Sequence, residues 1–354
     1  MYAAVSSSTL HGVFGAAITV EVHIGHGLPG FSVVGQPDEA CRESRDRVRA
    51  ALLSSGYEWP NRRITVNLSG DGEKKGGATA DLAIAMGVLV AGEKLPPTAV
   101  EKLAFIGELG LDGSLRATVG LAPLAHAARA DRVVVPMSSL SEARLAIGNR
   151  AIGAGTLREV CAAITGDEPW PDECAAHQPH DEPHQPDMAE VVGQVQAKFA
   201  MEVAAAGLHH VLMVGPPGAG KSMLARRMPG ILPPLSERES FETSMVRSAA
   251  GLGVVNPPSL VPPFRAPHHT STTVSVVGGG SPVRPGEISM AHNGVLFLDE
   301  MGEFAPSLLD ALRQPLEEGE VRVARARGSV TLPARFLLIG ASNPCPCANE
   351  QVTS

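Results

Sequence analysis

The 354-residue chain carries 29 Lys and Arg against 37 Asp and Glu, a formal net charge of -8, with 44% apolar and 19% charged residues. This balance fits a globular protein of about two domains with ample core, and it excludes wholesale coating by nucleic acid while leaving room for a local basic channel. Five cysteines without regular spacing point to a reducing compartment. The N-terminal Met1-Tyr-Ala-Ala lacks a charged region leading into an apolar one, and no apolar run approaches ~20 residues, so a cytoplasmic protein without a membrane span is expected.

In chain order, the alternation over 16–22 predicts a strand, broken by Gly25, Gly27, Pro29 and Gly30, and Phe31-Ser-Val-Val34 predicts a second. Pro37-Asp38-Glu39 reads as a helix start. The stretch 43–55 predicts a helix with Val48, Leu52 and Leu53 on one face and Arg42, Arg45, Arg47 and Arg49 mostly elsewhere. Those arginines read as a solvated face, with nucleic-acid contact as the alternative. Residues 64–68 alternate as a strand, 70–77 form a glycine-rich turn, and 79–90 predict a strongly apolar helix. Leu103-Ala-Phe-Ile106 and Arg132-Val-Val-Val135 predict strands, with an Ala-rich helix over 121–129 between them. Strands and helices intermix, so this half is α+β or α/β.

Residues 167–187 differ in kind: seven acidic residues, five prolines, three histidines (His177, His180, His184), and no Lys or Arg. Too little apolar surface is present to fold, so a solvated hinge is expected. The histidines with Cys174 match no strong metal-ligand spacing. A loop and helix over 188–206 follow.

Val211-Leu-Met-Val214 then predicts a buried strand and Ser222-Met-Leu-Ala-Arg-Arg227 the first turns of a helix. Between them, Gly215, Pro216, Pro217, Gly218, Ala219, Gly220, Lys221 and Ser222 fit the G-x-x-x-x-G-K-[ST] phosphate loop. Glycines let backbone N–H groups curl around an anion, and the helix N-terminus adds its positive end. Lys221 can reach the β/γ-phosphates and the Ser222 hydroxyl can ligate Mg²⁺, so binding of a nucleoside triphosphate is expected. Gly294-Val-Leu-Phe-Leu-Asp-Glu300 reads as a central strand ending in carboxylates, with Asp299 holding the metal and Glu300 polarising the attacking water. Arg335-Phe-Leu-Leu-Ile-Gly340 delivers Asn343, placed to orient that water or sense the γ-phosphate. Val274-Ser-Val-Val-Gly-Gly-Gly-Ser281 reads as one hairpin. Residues 321–332 read as another, turning at Gly328 and exposing Arg322, Arg325 and Arg327, which can track a phosphate backbone.

Ser44-Arg-Asp-Arg-Val-Arg-Ala-Ala-Leu-Leu53, Ile64-Thr-Val-Asn-Leu68 and Gly107-Glu-Leu-Gly-Leu-Asp-Gly-Ser-Leu-Arg116 resemble the Lon-protease-like domain, of ribosomal-protein-S5-like fold, that opens the ComM/YifB family of magnesium-chelatase-like proteins. Lon-type proteolysis needs a serine nucleophile and a lysine base. Lys74-Lys-Gly-Gly-Ala-Thr-Ala80 places Ala78 at the serine's position, and Ala122 stands near the lysine's. Methyl groups do neither job, and Thr79 next door has no base, so proteolysis is set aside.

Phe264-Arg-Ala-Pro-His-His-Thr270, Gly286-Glu-Ile-Ser-Met-Ala-His-Asn-Gly294 and Asn343-Pro-Cys-Pro-Cys347 resemble the magnesium-chelatase-type AAA+ domain. The resemblance implies a Lon-like domain over 1–166, the linker over 167–187, and a P-loop parallel-sheet ATPase core over 188–354. It also implies ATP and Mg²⁺ as cofactors, a sensor role for Asn343, and a hexameric ring that drives branch migration of DNA junctions when transformed DNA is integrated. Remodelling of a protein partner is the rival expectation. His268 and His269 read as structural or as packed near a subunit interface, rather than as metal ligands. Family members continue into a helical lid and an arginine finger, whereas this sequence ends at Ser354; a truncated chain with impaired hydrolysis is therefore expected. Cys345 and Cys347 would be half of a zinc site in the intact family, but without further ligands in this sequence none is assigned.

Overall fold

The computed structural model describes residues 1–35, 43–70, 78–171, 185–255, 257–280, 283–325 and 328–344, with Arg325 and Gly328 described by their backbone alone. The chain divides into two compact units, Met1–Pro179 with Arg247–Pro257, and His180–Val246 with Pro258–Ser354. Among the described residues no helix is long and apolar enough to cross a membrane. The expected helix start at Pro37-Asp38-Glu39, Arg42, the 71–77 turn and the linker residues Cys174, His177, His180 and His184 lie outside the described residues.

The first unit is a seven-stranded mixed sheet. Its strands are β1 (Tyr2–His11), β2 (Phe14–Gly25), β3 (Gly30–Val34), β4 (Arg63–Gly70), β5 (Leu103–Phe105), β6 (Arg132–Pro136) and β7 (Ala151–Ala154), in the order β3-β4-β2-β1-β5-β6-β7. β1, β2 and β4 pair antiparallel, and the other four join in parallel. Helices α1 (Ser44–Ser54), α2 (Asp81–Ala91), α3 (Leu121–Ala127), α4 (Leu140–Ile147) and α5 (Leu157–Thr165) complete it. All eleven residues of α2 are buried. The helix expected from Thr79 begins instead at Asp81, after a tight turn over Ala78–Ala80.

α1 forms where expected, but its inward face is Ser44, Val48, Ala51 and Leu52, and Leu53 is exposed. The helical period explains the difference, since Leu53 lies ~100° around the axis from Leu52. Arg47 does not belong to a solvated face either. Its Nε and Nη2 bond the Asp81 carboxylate at 2.6 and 3.2 Å, and Leu109 N–H reaches the same carboxylate at 3.4 Å. Asp81 is fully buried, and that burial pushes its carboxyl upward, while the bond to Asp81 raises the Arg47 guanidinium.

The second unit is built on a four-stranded parallel sheet of β8 (Val211–Val214), β9 (Phe264–Arg265), β10 (Gly294–Leu298) and β13 (Phe336–Ser342), in the order β8-β13-β10-β9. A hairpin of β11 (Glu320–Arg325) and β12 (Gly328–Pro333) precedes β13. Helices α6 (Val195–Gly207), α7 (Lys221–Arg226) and α8 (Glu237–Ala249) surround the strands. β10 is buried throughout, with Phe297 stacked on Phe264 at 5.9 Å. β8 was expected to be buried. It is an edge strand, and Leu212 and Val214 are 62% and 64% exposed.

Beneath this sheet His292, 2% exposed on its side chain, accepts a bond from Arg335 N–H on Nδ1 at 3.1 Å. Nε2 therefore carries the proton and faces Glu242 Oε2 at 3.5 Å, where Arg335 Nη2 also lies within 3.3 Å. Burial and the Arg335 charge lower the basicity of His292.

Two stability predictions result. Arg47→Met leaves Asp81 buried without its cation and should cost about 3–5 kcal/mol. Both tryptophans, Trp59 and Trp170, lie in the first unit, so urea denaturation followed by their fluorescence reads it. For His292, the folded state holds fewer protons than the unfolded, so its contribution is complete above the ordinary value of 6.5 and is lost as pH falls below it. Calorimetry of the second unit's transition between pH 7.5 and 5.5 should show that loss, with a flatter slope in His292→Gln.

Candidate active site

Parallel strands end at the same edge of a sheet, and here the register is in phase across all four. Val214 pairs with Ser342, Leu298 with Gly340, and Arg265 with Leu296. The loops leaving β8, β13, β10 and β9 therefore open on one side, where α/β sheets hold their ligands.

The loop over 215–220 leaves β8 and is pinned at both ends. Gly215 N–H donates to the Ser342 carbonyl at 3.2 Å, and Gln194 Nε2 donates to the Ala219 carbonyl at 2.9 Å. Gly218 and Gly220 adopt φ of 80° and 82°, in the left-handed region that a Cβ disfavours. α7 starts at Lys221, whose Nζ donates to Gly215 O at 2.7 Å, Pro216 O at 3.1 Å and Asn343 Oδ1 at 2.9 Å. The Ser222 hydroxyl donates to Asp299 Oδ2 at 2.7 Å. Glu300 follows with φ 52°, its N–H bonded to Asp299 Oδ1 at 3.1 Å and its half-exposed carboxylate 3.6 Å from His269 Nδ1.

A cavity of about 350 Å³ lies among these groups, bounded by Pro217 through Ser222, by Asp299 and Glu300, and by Asn343. The Gly215 and Pro216 carbonyls are partners of Lys221. The donor set suits an Mg²⁺-bound triphosphate. Lys221 is held by neutral oxygens, which anionic phosphate oxygens displace through stronger, charge-assisted bonds. Ser222 and Asp299 offer hard oxygen ligands 2.7 Å apart, and Mg²⁺ favours one or two such protein ligands with water and phosphate completing the octahedron.

Three features were not singled out for the site from sequence. Gln194 clamps the phosphate loop from outside the motif, and His269 reaches Glu300. Arg265 bonds Glu287 bidentately at 2.6 and 2.8 Å, fastening β9 to the short helix Glu287–Met290. Both residues lie in the quoted family motifs, but their partnership is a matter of tertiary structure.

The arginine hairpin forms, but Arg325 pairs with Gly328, so Gly328 belongs to β12 and is not the turn residue expected. Arg322 is exposed and lies 3.4 Å from Glu318. The Arg325 side chain and Arg327 lie outside the described residues, as do Cys345 and Cys347. The expected 274–281 hairpin is a short helix, Thr273–Val277, followed by Gly278–Gly279 paired with Arg284–Pro285.

Comparison with known proteins gives a consistent placement. The profile for magnesium chelatase, subunit ChlI, matches residues 187–354, and a second, for subunit ChlI of Mg-chelatase, matches residues 20–139. An uncharacterised Mycobacterium tuberculosis protein is 47% identical over 357 residues, covering 97% of this chain and 69% of the relative. Protein YifB of Escherichia coli is 42% identical over 96% of this chain and 67% of its own length. Competence protein ComM of Haemophilus influenzae is 40% identical over 97% of this chain and 69% of its own length. The chain, with its mixed α/β architecture and parallel-sheet nucleotide-binding unit, belongs to the ComM/YifB family of magnesium-chelatase-like AAA+ proteins.

Proposed function

We propose that this chain hydrolyses ATP with Mg²⁺ and uses the energy to move branched DNA. The convergence of Lys221, Ser222, Asp299, Glu300 and Asn343 on one cavity carries the ATPase reading. Lys221 and the loop N–H groups hold the β- and γ-phosphates. Ser222 and Asp299 hold the cation, which supplies neutralisation of developing phosphate charge when bound. Asn343 leaves Lys221 to orient the attacking water, and Glu300 accepts its proton on the carboxylate.

The motor reading extends this by family resemblance: a cytoplasmic hexameric ring acting in recombination of incoming DNA. A competence protein among the relatives and the exposed Arg322 on the β11–β12 hairpin support DNA as the substrate. Remodelling of a protein partner is the rival.

Two measurements test these readings. ATP turnover should fall by about 10²–10³-fold in Lys221→Ala, with loss of nucleotide binding, and comparably in Glu300→Gln with binding retained. A four-way DNA junction should raise wild-type turnover. Turnover indifferent to any DNA would keep the ATPase and move the substrate to a protein. Arg322→Glu should weaken junction binding regardless of base sequence and reduce the slope of log affinity against log salt by about one, since one phosphate contact is lost. An unchanged slope would remove the hairpin from the DNA path.

A further inference from the structure

Leu53, expected on the buried face of α1, is 51% exposed because it lines a cavity in the first unit. The cavity measures about 660 Å³ and lies between α1, the loop from Glu58 to Arg62 and the C-terminal end of α2. Ligand pockets run ~300–1,000 Å³, so the space suits an organic ligand. Its floor is apolar, formed by the buried Ile24, Val88 and Leu89.

The wall is charged and aromatic. Arg49 and Leu53 stand one helical turn apart on α1 and share a face. Arg62 and Lys94 join them, and Glu58 is the one carboxylate of the lining. Three cations and one anion thus surround the cavity in a chain of net charge -8. Lys94 lies 3.9 Å from the exposed Glu58. Among the described residues no carboxylate pairs with Arg49 or Arg62, so their charges are available to a ligand. Trp59 completes the wall. Gly56 turns the chain with φ 86°, and Tyr57 N–H closes onto the Leu52 carbonyl at 2.9 Å. Trp59 is then braced against Phe31, ring centroids 5.9 Å apart at 41°.

An aromatic wall beside unpaired cations matches a ligand in which planar apolar groups alternate with negative charges. Single-stranded nucleic acid has that pattern, because its unpaired bases offer a π-face and its phosphates follow one another along the chain. A duplex keeps its bases inside the stack. An acidic peptide satisfies the cations without supplying a planar group at each step. We propose that this cavity binds single-stranded DNA, with a base against Trp59 and phosphates on Arg49 and Arg62. The contact is blind to base sequence, since every base has a π-face. The inference rests on the reading that the chain acts on DNA, and adds a contact separate from Arg322.

The test uses the 354-residue chain without nucleotide and a labelled oligothymidylate of about 16 nucleotides, long enough for one single-strand site. Anisotropy should show Trp59→Leu, which keeps apolar bulk against Phe31, binding about 5–100-fold more weakly, with Trp59→Phe retaining most of the affinity. Replacing Arg49→Gln and Arg62→Gln together, both exposed and outside the core, should reduce the slope of log affinity against log salt by about 1.4, since single strands contribute about 0.7 per phosphate. In a Trp170→Phe background Trp59 is the sole tryptophan, and its emission should fall as the oligonucleotide saturates the protein. Binding of a duplex of the same length should be indifferent to Trp59→Leu. The proposal is overturned if Trp59 emission is unchanged at saturation, if Trp59→Leu weakens duplex and single strand alike, or if Trp59→Phe is no better than Trp59→Leu. Polyglutamate that displaces the oligonucleotide at equal charge also overturns it and assigns the cavity to an acidic peptide. Wild-type affinity in Trp59→Leu and in the double arginine variant, with a loss in Arg322→Glu, removes this site and leaves the hairpin. A wild type that binds no DNA removes the DNA reading and this site together.

Discussion

Everything at the site depends on the in-phase parallel pairing of four strands. Val214 pairs with Ser342, and two residues beyond the Leu298–Gly340 pair Glu300 reaches the same level. His269 reaches it from β9. A single line across the sheet edge therefore runs from the start of the phosphate loop, past Asn343, to Glu300 and His269. Side chains alternate along a strand, so a slip of one residue would turn every one of them to the opposite face. The buried β10 resists such a slip: Phe297 is stacked on Phe264, and Arg265 is fixed to Glu287.

The site is internally satisfied without a nucleotide. Lys221 is bonded to two carbonyls and Asn343, and Ser222 is bonded to Asp299. Nucleotide binding is then an exchange of partners, not the creation of new order in a loose loop. Asn343 is freed when Lys221 turns to phosphate, so filling the phosphate loop changes the partners of the residue that follows β13. The loop that makes the exchange is already shaped, by the left-handed Gly218 and Gly220 and by Gln194 on the Ala219 carbonyl.

Much of this was legible because it is local. The phosphate loop, the carboxylates ending β10 and Asn343 ending β13 each follow a short apolar run, and the fold brings them to one cavity. What depends on pairing between distant segments was not legible. β8 reads as a buried strand and is an edge strand, since a four-residue run carries no information about its neighbours. β1 gives little strand signal in the sequence, because Ser6-Ser7-Ser8 interrupts its apolar residues. Those serines sit mid-sheet with Ser7 bonded to the Phe105 carbonyl and Ser8 to the Leu124 carbonyl, each at 2.8 Å. β7, Ala151–Ala154, is a four-residue run in which Ile152 is the one strong strand former among Ala and Gly, and it is held by burial beside β6. His269 was read as structural for the same reason: its partner is 31 positions away in sequence.

Arg47 and His269 together show how burial separates two carboxylate contacts in one chain. Both face a carboxylate. Asp81 is fully enclosed, bonded twice by Arg47 and once by a backbone N–H, and each oxygen has a partner in a place water does not reach. Such a group gains nothing by moving, because any movement leaves a charge unpaired at low dielectric. Glu300 has one long contact, an unusual backbone conformation and open solvent on its other side. Its carboxylate can exchange partners at little cost. A carboxylate in this chain is therefore best judged by how completely both of its oxygens are satisfied: Asp81 is tied on each, and Glu300 is free to take a new partner.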